Sequence, residues 1–96
     1  MQHLAALPRV TGVEHEPHDG TPYGIERVRI AFENGYSASM VRGEFTYGGK
    51  EGLWEAAVTY DGEIVYDTPV TSDVIGHLHS EHLPDVLMQI ADLPPR

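Results

Sequence analysis

The sequence predicts an α+β fold: a four-stranded antiparallel sheet, built as a meander of hairpins, with one short and one longer C-terminal helix packed on one face. Three observations carry the prediction. Asn34-Gly35 and Asp61-Gly62 are two-residue turn signals set between runs of strand-forming residues. Leu83, Val86, Leu87 and Ile90 repeat at i, i+3, i+4 and i+7, and Leu93 extends the stripe. The 96 residues, 41% of them hydrophobic, suffice for one domain with one core.

The first 23 residues read as an arm or loop, and residues 24–96 as the domain. Leu4, Leu7 and Val10 are apolar, but Pro8 interrupts a helix there. The following VTGVEHEPHDGTPYG has no sustained period, and Val10 to Glu14 offers at most a short edge strand. Ile25 to Arg42 is a hairpin about Asn34-Gly35. A type I′ turn there pairs Phe32 with Ser37 and places Val28, Ile30 and Phe32 opposite Ser39 and Val41. The other face then carries Arg27, Arg29, Tyr36, Met40 and Arg42, with arginine stems along the apolar groups.

Gly43 to Gly52 is a glycine-rich loop. Leu53 to Tyr60 is apolar on both faces, as a central strand covered on both sides would be. Asp61-Gly62 turns it into Glu63 to Tyr66, pairing Val58 with Val65. Pro69 ends that strand. Thr71 or Ser72 caps a short helix over Asp73 to Leu78, and Ser80 caps the longer one, with Pro84 in its first turns. Pro94-Pro95 terminates it.

Composition excludes several function classes. Cysteine is absent, so disulfides, thiolate nucleophiles and cysteine zinc sites are excluded. A net charge of −9 opposes direct binding to a phosphate backbone. No apolar run approaches the roughly 20 residues that span a bilayer, and MQHLAALPRV lacks a secretory pattern, so a cytoplasmic protein is expected.

Three motifs stand in order: NGYSAS at Asn34 to Ser39, YGGKEGLWEAAV at Tyr47 to Val58, and YDTPVTSDVIGHL at Tyr66 to Leu78. Together they resemble a group of small uncharacterised proteins encoded by bacteriophages and prophages. The resemblance covers Val28 to Leu93. It implies a phage setting, with the host cytoplasm as location, and brings no catalytic residue with it.

The remaining candidates are judged by chemistry. His77, His79 and His82 are imidazoles that suit Zn²⁺ or Ni²⁺. On one helix, however, His77 and His79 sit about 200° apart, and solvated histidines in a helix junction are the commoner arrangement. His15, His18 and Asp19, with Glu14 and Glu16, form a second mixed cluster in the arm, where nothing preorganises it. The loop around Lys50 lacks the phosphate-loop signature and leads into a strand. The serines have no nucleophile-elbow context. Glu55 is expected to pair with Arg29 or Arg42. An aromatic and basic patch of Arg29, Tyr36 and Arg42, joined by Tyr47 and Lys50 from the loop, suits a protein partner.

The function expected is therefore non-catalytic: a small phage accessory protein that binds a host or phage protein and uses no cofactor. One alternative is an acidic DNA mimic that inhibits a nucleic-acid-binding protein. Another is a small-ligand or metal binder built on the histidines. A homodimer through an exposed strand edge is a further possibility.

Overall fold

The computed structural model describes residues 4, 6–17, 20, 24–43 and 52–96. The chain forms β1 (Val10–Glu16), β2 (Ile25–Phe32), β3 (Tyr36–Gly43), β4 (Trp54–Tyr60), β5 (Glu63–Ile64) and β6 (Ile75–Leu78), then α1 (Leu83–Ala91) after a 3-10 turn at Ser80–His82. The strands make a 6-stranded sheet in the order β1-β2-β3-β4-β5, with β6 also paired to β4. All pairings are antiparallel. The α+β class stands; four strands and two helices become six strands and one α-helix among the described residues.

Two findings concern where strands form, one an extension and one a correction. The short edge strand expected at Val10 to Glu14 forms as β1 and runs on to Glu16, pairing with β2 from Val10↔Phe32 to Glu16↔Arg27 around a bulge near Gly12. Leu4, fully buried, also belongs to the core. The expected short helix over Asp73 to Leu78 is instead β6. The reason lies in β4. Trp54 and Ala56 are buried, and the edge of β4 away from β3 is covered by β5 only at Thr59 and Tyr60. Its other half would leave backbone groups unpaired in the interior. β6 supplies them, with Trp54↔Leu78 and Ala56↔Ile75. Thr71 still makes the local bond expected of a cap, its Oγ1 accepting from Asp73 N at 3.1 Å. One turn containing β-branched Ile75 and Gly76 is too weak to hold a helix against that demand.

The Asp61-Gly62 turn has φ of +53° and +84°, the type I′ pattern, and Val65 N donates to Val58 O at 2.9 Å in the expected register. The Asn34-Gly35 turn departs from expectation. Ala31 pairs with Ser37 and Val28 with Met40, so Glu33, Asn34 and Gly35 form a three-residue connection. Of these, only Gly35 has positive φ, at +90°. The register moves by one residue and β3 turns over. Tyr36, Ala38 and Met40 now join Val28, Ile30 and Phe32 in the core.

The helix explains the change. Leu83, Leu87 and Ile90 are buried against the sheet, each contributing about 1.5–3 kcal/mol. The last carbonyls of α1 meet the β2–β3 turn. Asn34 Nδ2 approaches the carbonyls of Ile90, Ala91 and Leu93 at 2.9, 3.2 and 2.9 Å, while its Oδ1 accepts from Tyr36 N at 3.0 Å. Arg9 adds a bond to Ala91 O at 3.1 Å and an ion pair with Asp92 at 2.6 Å. These groups serve the orphan carbonyls of the helix end. At the other end Ser80 does not cap, since neither helical segment has a side-chain cap bond. Its Oγ accepts instead from Trp54 Nε1 at 3.1 Å.

This arrangement makes a specific prediction. Asn34→Ala should destabilise the fold by about 1–3 kcal/mol. Asn34→Asp should cost more at neutral pH, although Asp suits turns equally well, because a carboxylate would face three carbonyls at the negative helix end. Lowering the pH enough to protonate it should narrow that difference. Urea unfolding of both variants at neutral and acid pH checks this.

Candidate functional site

Alternation along the strands sorts the side chains into a face under α1 and an outer face. The helix-side face ends in a polar cluster beside Trp54. Glu26 and Arg42 are direct cross-strand partners, and His15 stands one strand over, opposite Val28. Arg42 Nη2 reaches Glu26 Oε1 at 2.5 Å, and Nη1 donates to Gly52 O at 3.3 Å. His15 Nε2 lies 2.8 Å from Glu26 Oε2. The Arg42 guanidinium sits 4.4 Å from the centroid of the Trp54 ring. A continuous chain of contacts therefore joins His15, Glu26, Arg42, Trp54 and Ser80, tying four strands to the start of the helix.

Burial acts to raise the Glu26 pKa. Hydrogen bonds from His15 and Arg42, together with their charges, outweigh it and hold the carboxyl below its usual value of 4.5. Glu26 is thus a fixed anion at neutral pH. It suits an ion-pair clamp and the orientation of His15, and not proton transfer near pH 7.

The outer face differs in character. Its rows follow from the registers. One runs Gly12, Ala31, Ser37, Thr59, Ile64. The next runs Glu14, Arg29, Ser39, Ala57, and a third Glu16, Arg27, Val41, Glu55. The middle of the face holds short side chains, of which Ser37, Ala57 and Thr59 are buried. Ile25 and Ile64, at opposite corners, are 40% and 45% exposed. Arg27 and Glu16 approach to 3.7 Å across the open edge. An open hollow is lined by Gly12, Val13, Glu14, Arg29 and Ala31.

The expected binding patch is divided by the turned-over β3. Arg29 lies on the outer face. Tyr36, 5% exposed, lies in the core, its ring edge-on to Tyr60 with centroids 5.0 Å apart. Arg42 is on the same side as Tyr36, but at the far end, clamped by Glu26. Tyr47 and Lys50 lie outside the described residues. Glu55 pairs with neither arginine as expected: Arg42 takes Glu26, and Glu55 stands beside Val41 on the outer face.

The histidines are also separated. His77 sits in β6 with φ +53°, whereas the His79 and His82 rings meet edge-on at 5.8 Å. Among the described residues no group of three or more His, Asp and Glu is placed to hold a metal ion. In the N-terminal cluster His15 turns to Glu26, while His18 and Asp19 lie outside the described residues. Sequence reasoning missed Glu26 altogether. Its signal was present in the alternation, which places it on the side of Val28 and Ile30, where a charge needs a partner.

No helix among the described residues is long and apolar enough to cross a membrane. Comparison with models of known protein families, with curated proteins and with solved structures finds no match to this chain.

The clamp sets a pH dependence. A carboxyl whose folded pKa is depressed adds stability above its unfolded value, and that contribution disappears as the pH falls through the folded pKa. The Glu26 contribution should therefore be complete above pH 4.5 and fade below it. Thermal melts across that range should show a shallower acid limb for Glu26→Gln than for the unaltered protein, and lower stability at neutral pH.

Proposed function

We propose that this chain is a small accessory protein, of phage origin and acting in the host cytoplasm, that works by binding protein and not by catalysis. One observation carries the binding role. The sheet has one face under α1 and another on which Ile25 and Ile64 stand exposed around a floor of Ala, Ser and Thr. Large apolar side chains left in water at the margins of that face suit an apposed protein layer. The rim carries both signs of charge, Glu14, Glu16 and Glu55 with Arg27 and Arg29, which fits a protein surface better than a phosphate backbone. The Glu26 clamp supports the non-catalytic part, since its carboxylate is committed to Arg42 and His15.

The test compares tagged protein with an Ile64→Asp variant in nuclease-treated lysate of the source organism. A stoichiometric protein partner that is retained by the unaltered chain and lost by the variant is expected. Equal capture by both overturns the role of this face. Turnover of a defined substrate, abolished by changing one side chain, overturns the non-catalytic reading.

A further inference from the structure

Asn34 is the only asparagine in the chain, and a glycine follows it. That pair carries a reaction of its own in water. The Gly35 amide nitrogen attacks Cγ of Asn34. The bond from Cγ to Nδ2 breaks, and that nitrogen leaves as ammonia, carrying off the proton that Gly35 N loses. A cyclic imide remains. Water then adds to one of its two carbonyls and opens it, leaving either aspartate or isoaspartate at position 34. The exchange is one water in and one ammonia out, with no oxidant or metal. Glycine favours the first step because no Cβ crowds the attacking nitrogen and its backbone is free to swing.

In the folded chain the atoms of that step are held elsewhere. Gly35 N donates to Phe32 O at 3.2 Å. Asn34 Oδ1 accepts from Tyr36 N at 3.0 Å. The nitrogen that must leave sits among the carbonyls of Ile90, Ala91 and Leu93, at 2.9, 3.2 and 2.9 Å. The Tyr60 ring stands against Gly35 and limits its swing. These contacts last only while the end of α1 stays docked on the turn, and helix ends open more readily than whole folds. Either product removes the amide donor. Aspartate brings a carboxylate to carbonyls at the negative end of the helix. Isoaspartate carries the main chain through the side-chain carbon and lengthens a turn that sets the register of β3. We propose that Asn34-Gly35 is a self-modification site, closed by the docked end of α1 and opened when that end lifts, whose hydrolysis makes the opening irreversible. The turn thereby limits the life of the fold, because the reaction destroys the contact that closes it.

The test follows residue 34 by peptide mass mapping, in the native chain and in guanidinium chloride, at one mildly alkaline pH and one temperature well below the melt. Conversion should be more than about tenfold slower in the native chain, since only the open fraction reacts. Arg9→Ala deletes the neighbouring bond to Ala91 and the ion pair with Asp92. It should speed the native reaction several-fold and leave the denatured rate unchanged. Glu26→Gln weakens the clamp at the other end of the sheet and should leave the native rate close to that of the unaltered chain. Chains converted in denaturant should, once it is removed, melt lower than unconverted chains carried through the same steps, or fail to refold. Equal rates in the native and denatured chains overturn the closure, and no conversion in denaturant overturns the site. Converted chains that regain the original melting temperature overturn the irreversible step. Equal native rates for Arg9→Ala and Glu26→Gln overturn the opening at the helix end.

Discussion

The structure depends on one side chain at a turn. Asn34 faces the final carbonyls of α1 with its amide nitrogen, while its oxygen holds the backbone of its own turn. Helix ends leave carbonyls without partners, and turns leave amides without partners. Here the two deficits are met by one residue, so the helix and the β2–β3 hairpin fix each other. Arg9, entering β1, joins at Ala91 and Asp92. Glu33 N donates to Arg9 O at 3.0 Å, bringing the start of β1 to the same point. Three segments far apart in sequence thus converge where the helix stops.

Everything on the helix-side face follows from that anchoring. The turn must be one residue longer than the tightest hairpin, and the longer turn places Tyr36, Ala38 and Met40 beneath α1. Gly35 is needed for the same reason. Its φ of +90° suits glycine, and a Cβ there would come within 2.9 Å of the Tyr60 ring. With β3 so turned, Arg42 meets Glu26 and covers the Trp54 ring. The two ends of the helix are therefore held by different chemistry: carbonyl capping at its last turn, and the Trp54–Ser80 hydrogen bond with the charged chain behind it at its first.

The same register determines what remains outside. Had β3 kept the two-residue turn, Tyr36, Met40 and Arg42 would share the open face with Arg29. Instead that face holds Ser37, Ser39 and Val41 in the middle of the sheet. A polar aromatic patch gives way to a largely buried floor of short residues bounded by charges and two isoleucines. The binding role proposed above is accordingly assigned to different residues.

Local chemistry settled a good part of this fold. The Asp61-Gly62 hairpin and its register, the buried strand at Trp54 to Tyr60 and the apolar stripe of α1 are all legible in the sequence. Each depends on contacts within a few residues or on a strict period. Tertiary structure decided the rest. A weak helical segment at Asp73 to Leu78 became β6 because β4 needed a partner along its buried edge. The short edge strand read at Val10 to Glu14, in a stretch without sustained periodicity, extended to Glu16 because β2 offered a ladder. Asn34-Gly35 took the longer turn because a helix end 56 residues away recruited the asparagine. In each case the deciding group was an unsatisfied backbone donor or acceptor in a distant element. No window of neighbouring residues contains that demand, since it exists only once the chain is folded.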